Sequence, residues 1–176
     1  MMTDDTMKID QRPMTFEAYV SEVFATGGMS LLVTCIDYRY PRRVLDAMQR
    51  VFPGLAYDQF ILAGASLGAC RPDWQDVLVQ HVEAAAFLKH DIKRIVILDH
   101  RDCGAYRHPK ELNIPADVLQ TGLPKDVLPS VEMACHQSVV DKLIPMLRKR
   151  LDCVIPDLEY HSWLLTRDED DRLTIT

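Results

Sequence analysis

Cys35-Ile-Asp37-Tyr-Arg39 and His100-Arg-Asp-Cys103-Gly104 carry the side chains of this 176-residue chain best suited to chemistry. Two thiolates and an imidazole form a zinc ligand set with one coordination position left for a reacting molecule. Each fragment alone says little, because a lone Cys behaves as a small buried hydrophobe and His-x-x-Cys recurs by chance. Placement joins them. Both follow strand-like runs, Leu31-Leu-Val-Thr34 and Arg94-Ile-Val-Ile-Leu98. In a parallel α/β sheet the carboxyl ends of the strands share one edge, where ligands bind. Asp37 and Arg39, two residues apart, point the same way on an extended segment and can pair. A carboxylate beside a guanidinium stays ionised.

The elements that must position these groups alternate in type. Phe16, Tyr19, Val20, Val23 and Phe24 recur at helical spacing and stop at Gly27-Gly28. This helix packs either on its own domain or across a partner subunit. Leu31 to Ile36 reads as a buried strand, followed by a helix opened by Pro41, carrying Val44, Leu45, Met48 and Val51-Phe52 and closed by Pro53-Gly54. Tyr57 to Ala63 is a second strand, leading to the small-residue loop Gly64-Ala-Ser-Leu-Gly68. A helix capped by Asp73 runs to about His90 with Val77, Leu78, His81, Val82, Ala85 and Leu88 on its apolar stripe. Arg94 to Leu98 has no polar alternation, as expected of a central parallel strand covered on both faces. Residues 105–129 are rich in Pro and read as loop with short helical pieces, either a lid or a solvated connection. Ser130 begins a last helix, with Val139, Val140, Leu143, Ile144 and Leu147, that ends at Arg148-Lys-Arg150. Leu158 to Leu165 and Leu173 to Thr176 are strands around the acidic turn Asp168 to Asp171. The order predicts an α/β fold with a central, mainly parallel sheet flanked by helices. Residues 1–28 are expected to be a leader and helical arm, and 29–176 one α/β domain.

Composition narrows the function. No apolar run approaches the roughly 18 residues of a membrane span. A net charge of −6 without a basic cluster argues against nucleic acid. Residues 1–10 contain no basic leader with an apolar core, so a cytoplasmic protein is expected. Five cysteines at irregular spacing suit reduced thiols better than a disulfide framework.

Cys-x-Asp-x-Arg at 35–39 and His-x-x-Cys-Gly at 100–104, with the spacing between them, resemble the β-class carbonic anhydrases. The similarity runs from about Ser30 to Tyr106, and Trp163-Leu-Leu before an acidic turn resembles that family's final strands. The resemblance implies a zinc enzyme that interconverts carbon dioxide and bicarbonate and assembles as a homodimer or higher homo-oligomer. It implies Cys35, His100 and Cys103 as zinc ligands. Water activated by the metal would attack carbon dioxide, with Asp37 accepting its hydrogen bond and Arg39 holding Asp37. In some members the matching Asp instead takes the fourth zinc position. Where the family often carries Arg-Asn-Ala-Gly, this chain has Ile61-Leu62-Ala63-Gly64, which keeps the small pair and replaces the polar one. Tyr38 replaces a common Ser or Ala, and the Pro-rich segment replaces a continuing helix.

A helix starting at Gly104 would favour the Cys103 thiolate. Asp99 and Asp102 are expected to be exposed carboxylates rather than supports for a ligand. Cys70, Cys135 and Cys153 are read as structural, and His81, His90, His108, His136 and His161 as outside the site. Two other readings keep the fold: hydrolysis of carbonyl sulfide or carbon disulfide in an apolar pocket, or a non-catalytic paralogue that binds bicarbonate or a partner. A metal-free Cys103 nucleophile would leave Cys35-x-Asp37-x-Arg39 without a role.

Overall fold

A computed structural model describes residues 14–24, 27–51, 57–167 and 173–175. The leader before residue 14, the Pro53-Gly54 helix stop and the acidic turn at 168–171 lie outside the described residues, as do the side chains of Val20, Val23, Phe24 and Val51. The elements in chain order are β1 (Met14–Thr15), α1 (Phe16–Phe24), β2 (Met29–Cys35), α2 (Pro41–Val51), β3 (Tyr57–Leu62), α3 (Ser66–Ala69), α4 (Pro72–Phe87), β4 (Ile92–His100), α5 (Gly104–Arg107), α6 (Pro129–Leu151), β5 (Glu159–Arg167) and β6 (Leu173–Ile175).

They form a six-stranded sheet in the order β1-β6-β5-β4-β2-β3. The four strands β3, β2, β4 and β5 are parallel, and β6 and β1 add antiparallel pairings at one side. Alternation along the central strands builds two cores. Leu31, Val33, Ile95 and Ile97 face α4 and α6, and Leu32, Val96 and Leu98 face α1 and α2. A strand that must satisfy both faces has no room for a polar alternation, which is why β2 and β4 read as unbroken apolar runs.

The helices follow their apolar spacing. Val44, Ala47 and Met48 bury one face of α2, and the Tyr40 carbonyl accepts its first hydrogen bond, from Val44 N. Phe16 and Tyr19 of α1 are buried in the same core, and the Tyr19 ring lies 4.6 Å from Trp163. In α4 the buried stripe is Leu78, Val79, Val82 and Ala85, whereas Val77, His81 and Leu88 are exposed. That helix also starts two residues earlier than expected: Pro72 opens it and Arg71, not Asp73, is the cap residue. Pro is favoured at this first position because its missing N–H would have no helical partner there. The small-residue loop contains the single turn α3. Among the described residues no helix is long and apolar enough to cross a membrane.

Candidate metal centre

Cys35 is the last residue of β2 and His100 the last of β4, strands paired in parallel register with Thr34 opposite Leu98. The two side chains come from opposite faces of the sheet: Cys35 continues the Leu31, Val33 side, and His100 the Val96, Leu98 side, where its ring stacks on Tyr40 at 4.4 Å. They meet over the end of the sheet. Cys103 joins them because the chain reverses at Asp102, which has φ 60°. Asp is one of the residue types that tolerates this left-handed conformation.

The ligand atoms of Cys35, His100 and Cys103 all lie within 4.8 Å of one another, and all three residues are buried. The two Sγ atoms are 3.9 Å apart. Two thiolates at about 2.3 Å from a tetrahedral ion would be about 3.8 Å apart. His100 Nδ1–H donates to the Arg101 carbonyl at 2.9 Å, and Nε2 is buried without a hydrogen-bond partner. That fixes the tautomer with a lone pair at Nε2, the form that binds metals. A buried nitrogen left unpaired beside two sulfurs is the observation by which the donor set fits a metal ion.

Gly64 N–H donates to Cys35 Sγ at 3.3 Å. Its φ of +81° and the Ala105 Cβ, 2.8 Å from where a side chain would begin, leave room for glycine alone. Cys103 is the cap residue of α5, and the Ala105 backbone amide only partly opposes the upward push on its thiol. The contact with Cys103 pushes the Cys35 thiol down, and Cys103 is pushed up in return by Cys35 and by burial.

Asp37 and Arg39 pair, but through a turn rather than an extended segment, closed by Tyr40 N–H to the Asp37 carbonyl. Arg39 Nε donates to Oδ1 at 2.9 Å and Nη2 to Oδ2 at 2.7 Å, and the Arg39 backbone N–H reaches Oδ1 at 3.0 Å. These hydrogen bonds hold the Asp37 carboxyl down at about 2. Its Oδ2 stands 3.8 Å from His100 Nε2. Arg39 also donates to Asp102, through Nη1 to Oδ2 at 3.0 Å and Nη2 to the carbonyl at 2.9 Å. One guanidinium therefore ties the two motifs together. Arg107 pairs with Asp102 from α5.

One group behind the site differs from the sequence expectation. Asp99 is 3% exposed, not a surface carboxylate: it accepts from Ser66 N–H at 3.0 Å, Ser66 Oγ at 2.5 Å and Tyr106 OH at 3.3 Å. Parity along β4 turns it to the face opposite His100. Asp102 is exposed, as expected, and its pairs with Arg39 and Arg107 support the loop that delivers Cys103. Glu132 of α6, overlooked in the sequence, is buried and accepts from Arg101 Nε at 2.9 Å and from Asp102 N–H. A signal for it existed: stepping back along α6 from Leu147, Leu143 and Val140 by three or four residues lands on His136 and then Glu132.

A pocket of about 290 Å³ opens onto the cluster, with Ile36, Ala63, Gly64, Ala105 and Leu112 among its walls and His108 and Glu111 at its polar side. The aliphatic replacement noted in the sequence has a structural counterpart: Ala63 and Gly64 line this pocket, Leu62 is buried, and Ile61 is 46% exposed.

No protein-family model matches the chain. It is 28% identical over 142 residues to an uncharacterized protein of Rickettsia conorii, covering 79% of this chain and 68% of the relative. An uncharacterized protein of Rickettsia bellii is also 28% identical over 142 residues, 79% of this chain and 77% of that relative. Among solved structures, the β-carbonic anhydrase CafD of Aspergillus fumigatus superposes with a TM-score of 0.57 at 15% identity, over 94% of this chain and 98% of that one. A carbonic anhydrase of Streptococcus mutans matches with a TM-score of 0.48 at 19% identity, over 90% and 91% of the two chains. The fold is that of the β-carbonic anhydrases.

Proposed function

We propose that this chain binds zinc through Cys35, His100 and Cys103 and catalyses the reversible hydration of carbon dioxide to bicarbonate and a proton. The observation that carries this reading is the convergence of three buried donor atoms at the carboxyl edge of the sheet, with His100 Nε2 unpaired among them. When bound, zinc supplies Lewis acidity that makes hydroxide available near neutral pH.

The residues of the chain do the rest. Two thiolates and a neutral imidazole cancel the charge of a divalent ion, and Gly64 N–H fixes Cys35. Asp37, kept anionic by Arg39, accepts the hydrogen bond of the attacking water at Oδ2 and so orients its oxygen lone pair toward the carbon. With both carboxylate oxygens gripped by Arg39, Asp37 is held off the metal, which favours a site open to substrate. Apolar walls from Ile36, Ala63, Ala105 and Leu112 accept uncharged carbon dioxide and give the bicarbonate anion little to hold, which promotes its release. Ile36 and Tyr38, 60% and 89% exposed, leave an apolar rim that supports the expected pairing with a second copy of the chain.

Stopped-flow carbon dioxide hydration from mildly acidic to alkaline pH, on protein of measured zinc content, tests the reading. Turnover rising with pH is expected, and no turnover from zinc-loaded protein overturns it. The apolar pocket also favours a sulfur analogue as substrate, and carbonyl sulfide competing effectively with carbon dioxide would select that alternative.

A further inference from the structure

On the face of the sheet that carries Asp99, α6 and β5 enclose a second cavity of about 360 Å³. This is the size of a small-molecule pocket, which starts at about 300 Å³. Met133, Val140 and Leu164 give it apolar walls, and Asp99, His136, Gln137 and Ser162 border it with polar ones. His136 is 3% exposed. Its Nδ1 lies 3.1 Å from Asp99 Oδ2 but out of line for a hydrogen bond, and its Nε2 has no partner. Asp99 is meanwhile satisfied by Ser66 and Tyr106. The Tyr106 ring packs against the imidazole at 3.8 Å, so His136 is fixed in place but not hydrogen-bonded.

A buried imidazole whose Nε2 has no hydrogen-bond partner is costly, and a bound molecule that supplies one recovers that cost. The carboxylate beside Nδ1 favours the tautomer with its proton there, which leaves Nε2 an acceptor. The same negative charge disfavours an anionic guest. We propose that this cavity is a binding site for a small uncharged molecule with an apolar, ring-sized body and a single O–H or N–H donor, the donor engaging His136 Nε2. The site is separate from the metal centre and does not depend on the reaction proposed there.

Phenol is a suitable probe, and toluene its counterpart without the hydroxyl. Long-range 1H–15N spectra of the histidine rings should show the His136 Nε2 resonance moving saturably with phenol and staying in place with toluene. His136→Phe should weaken phenol binding about tenfold, the loss of one hydrogen bond. Should that variant fail to fold, Ala134→Phe, at an exposed position on the cavity wall, should block phenol while preserving the His136 resonance. A cavity that holds only water would give no saturable response to phenol and overturn the proposal. Equal responses to phenol and toluene, or binding unaffected by Ala134→Phe, would do the same. Loss of the phenol response in step with self-association, followed by sedimentation, would make the cavity a subunit contact and also overturn it.

Discussion

His100 and His136 are both almost fully buried, on opposite faces of one sheet, and they differ in which groups meet the ring nitrogens. His100 has one nitrogen committed to the Arg101 carbonyl, so the other is left facing two sulfurs. His136 has neither nitrogen committed and a carboxylate alongside. Burial of an imidazole is thus common to both regions, whereas the tautomer imposed by a neighbour distinguishes a ligand ready for a metal from an acceptor ready for a proton donor. Asp99 and His100 make the same point within one strand: adjacent residues, each buried, serve two separate polar clusters.

The largest expected effect separates the two histidine clusters. Cys103→Ala should lose zinc after dialysis, measured as metal per chain, while His136→Gln should retain it; full zinc in the first variant would remove Cys103 from the ligand set. Next, Asp37→Ala should keep its zinc and lose about a hundredfold or more in kcat/KM for carbon dioxide, the range for a positioned proton acceptor. Unchanged turnover would assign the Asp37–Arg39 pair to loop structure alone.

Asp99→Ala should leave metal content unaltered yet destabilise the fold by about 1–3 kcal/mol in urea denaturation, because Ser66 and Tyr106 lose a buried acceptor. Zinc loss in this folded variant would show that the two faces are not independent. The Asp37 carboxyl, held at about 2 when folded against roughly 3.9 when unfolded, binds more protons in the unfolded state between those values. Its stabilising contribution should be complete above about pH 4 and disappear as pH falls toward 2, with no inflection from Asp37 in the working range. Carboxyl 13C titration checks this. The smallest effect concerns reactivity: exposed Cys153 should alkylate readily, whereas Cys70, pushed up to about 12 by burial, should resist until the protein unfolds.

Much of the fold was legible in the sequence, and for local reasons. The unbroken apolar runs of β2 and β4 announced strands covered on both faces, and the 3.6-residue spacing of α2 and α6 announced their buried stripes. The two motifs were legible too, since ligand types at short spacing after strand ends carry their own geometry. Other features were hidden because they depend on distant chain segments. Asp99 looks like any carboxylate until Ser66, 33 residues earlier, and Tyr106 close over it. Glu132 becomes a support for the Cys103 loop only when α6 crosses behind β4.

The sequence by itself determined which side chains were available for metal chemistry and that an alternating α/β chain would bring strand ends to one edge, because composition and periodicity act within a few residues. Only the tertiary structure decided that His100 and Cys35 reach each other from opposite faces, that Arg39 spans both motifs, and that a second buried histidine borders its own cavity. Those outcomes depend on parity along strands and on contacts across 30 to 70 residues of chain, where small differences in register change which groups meet.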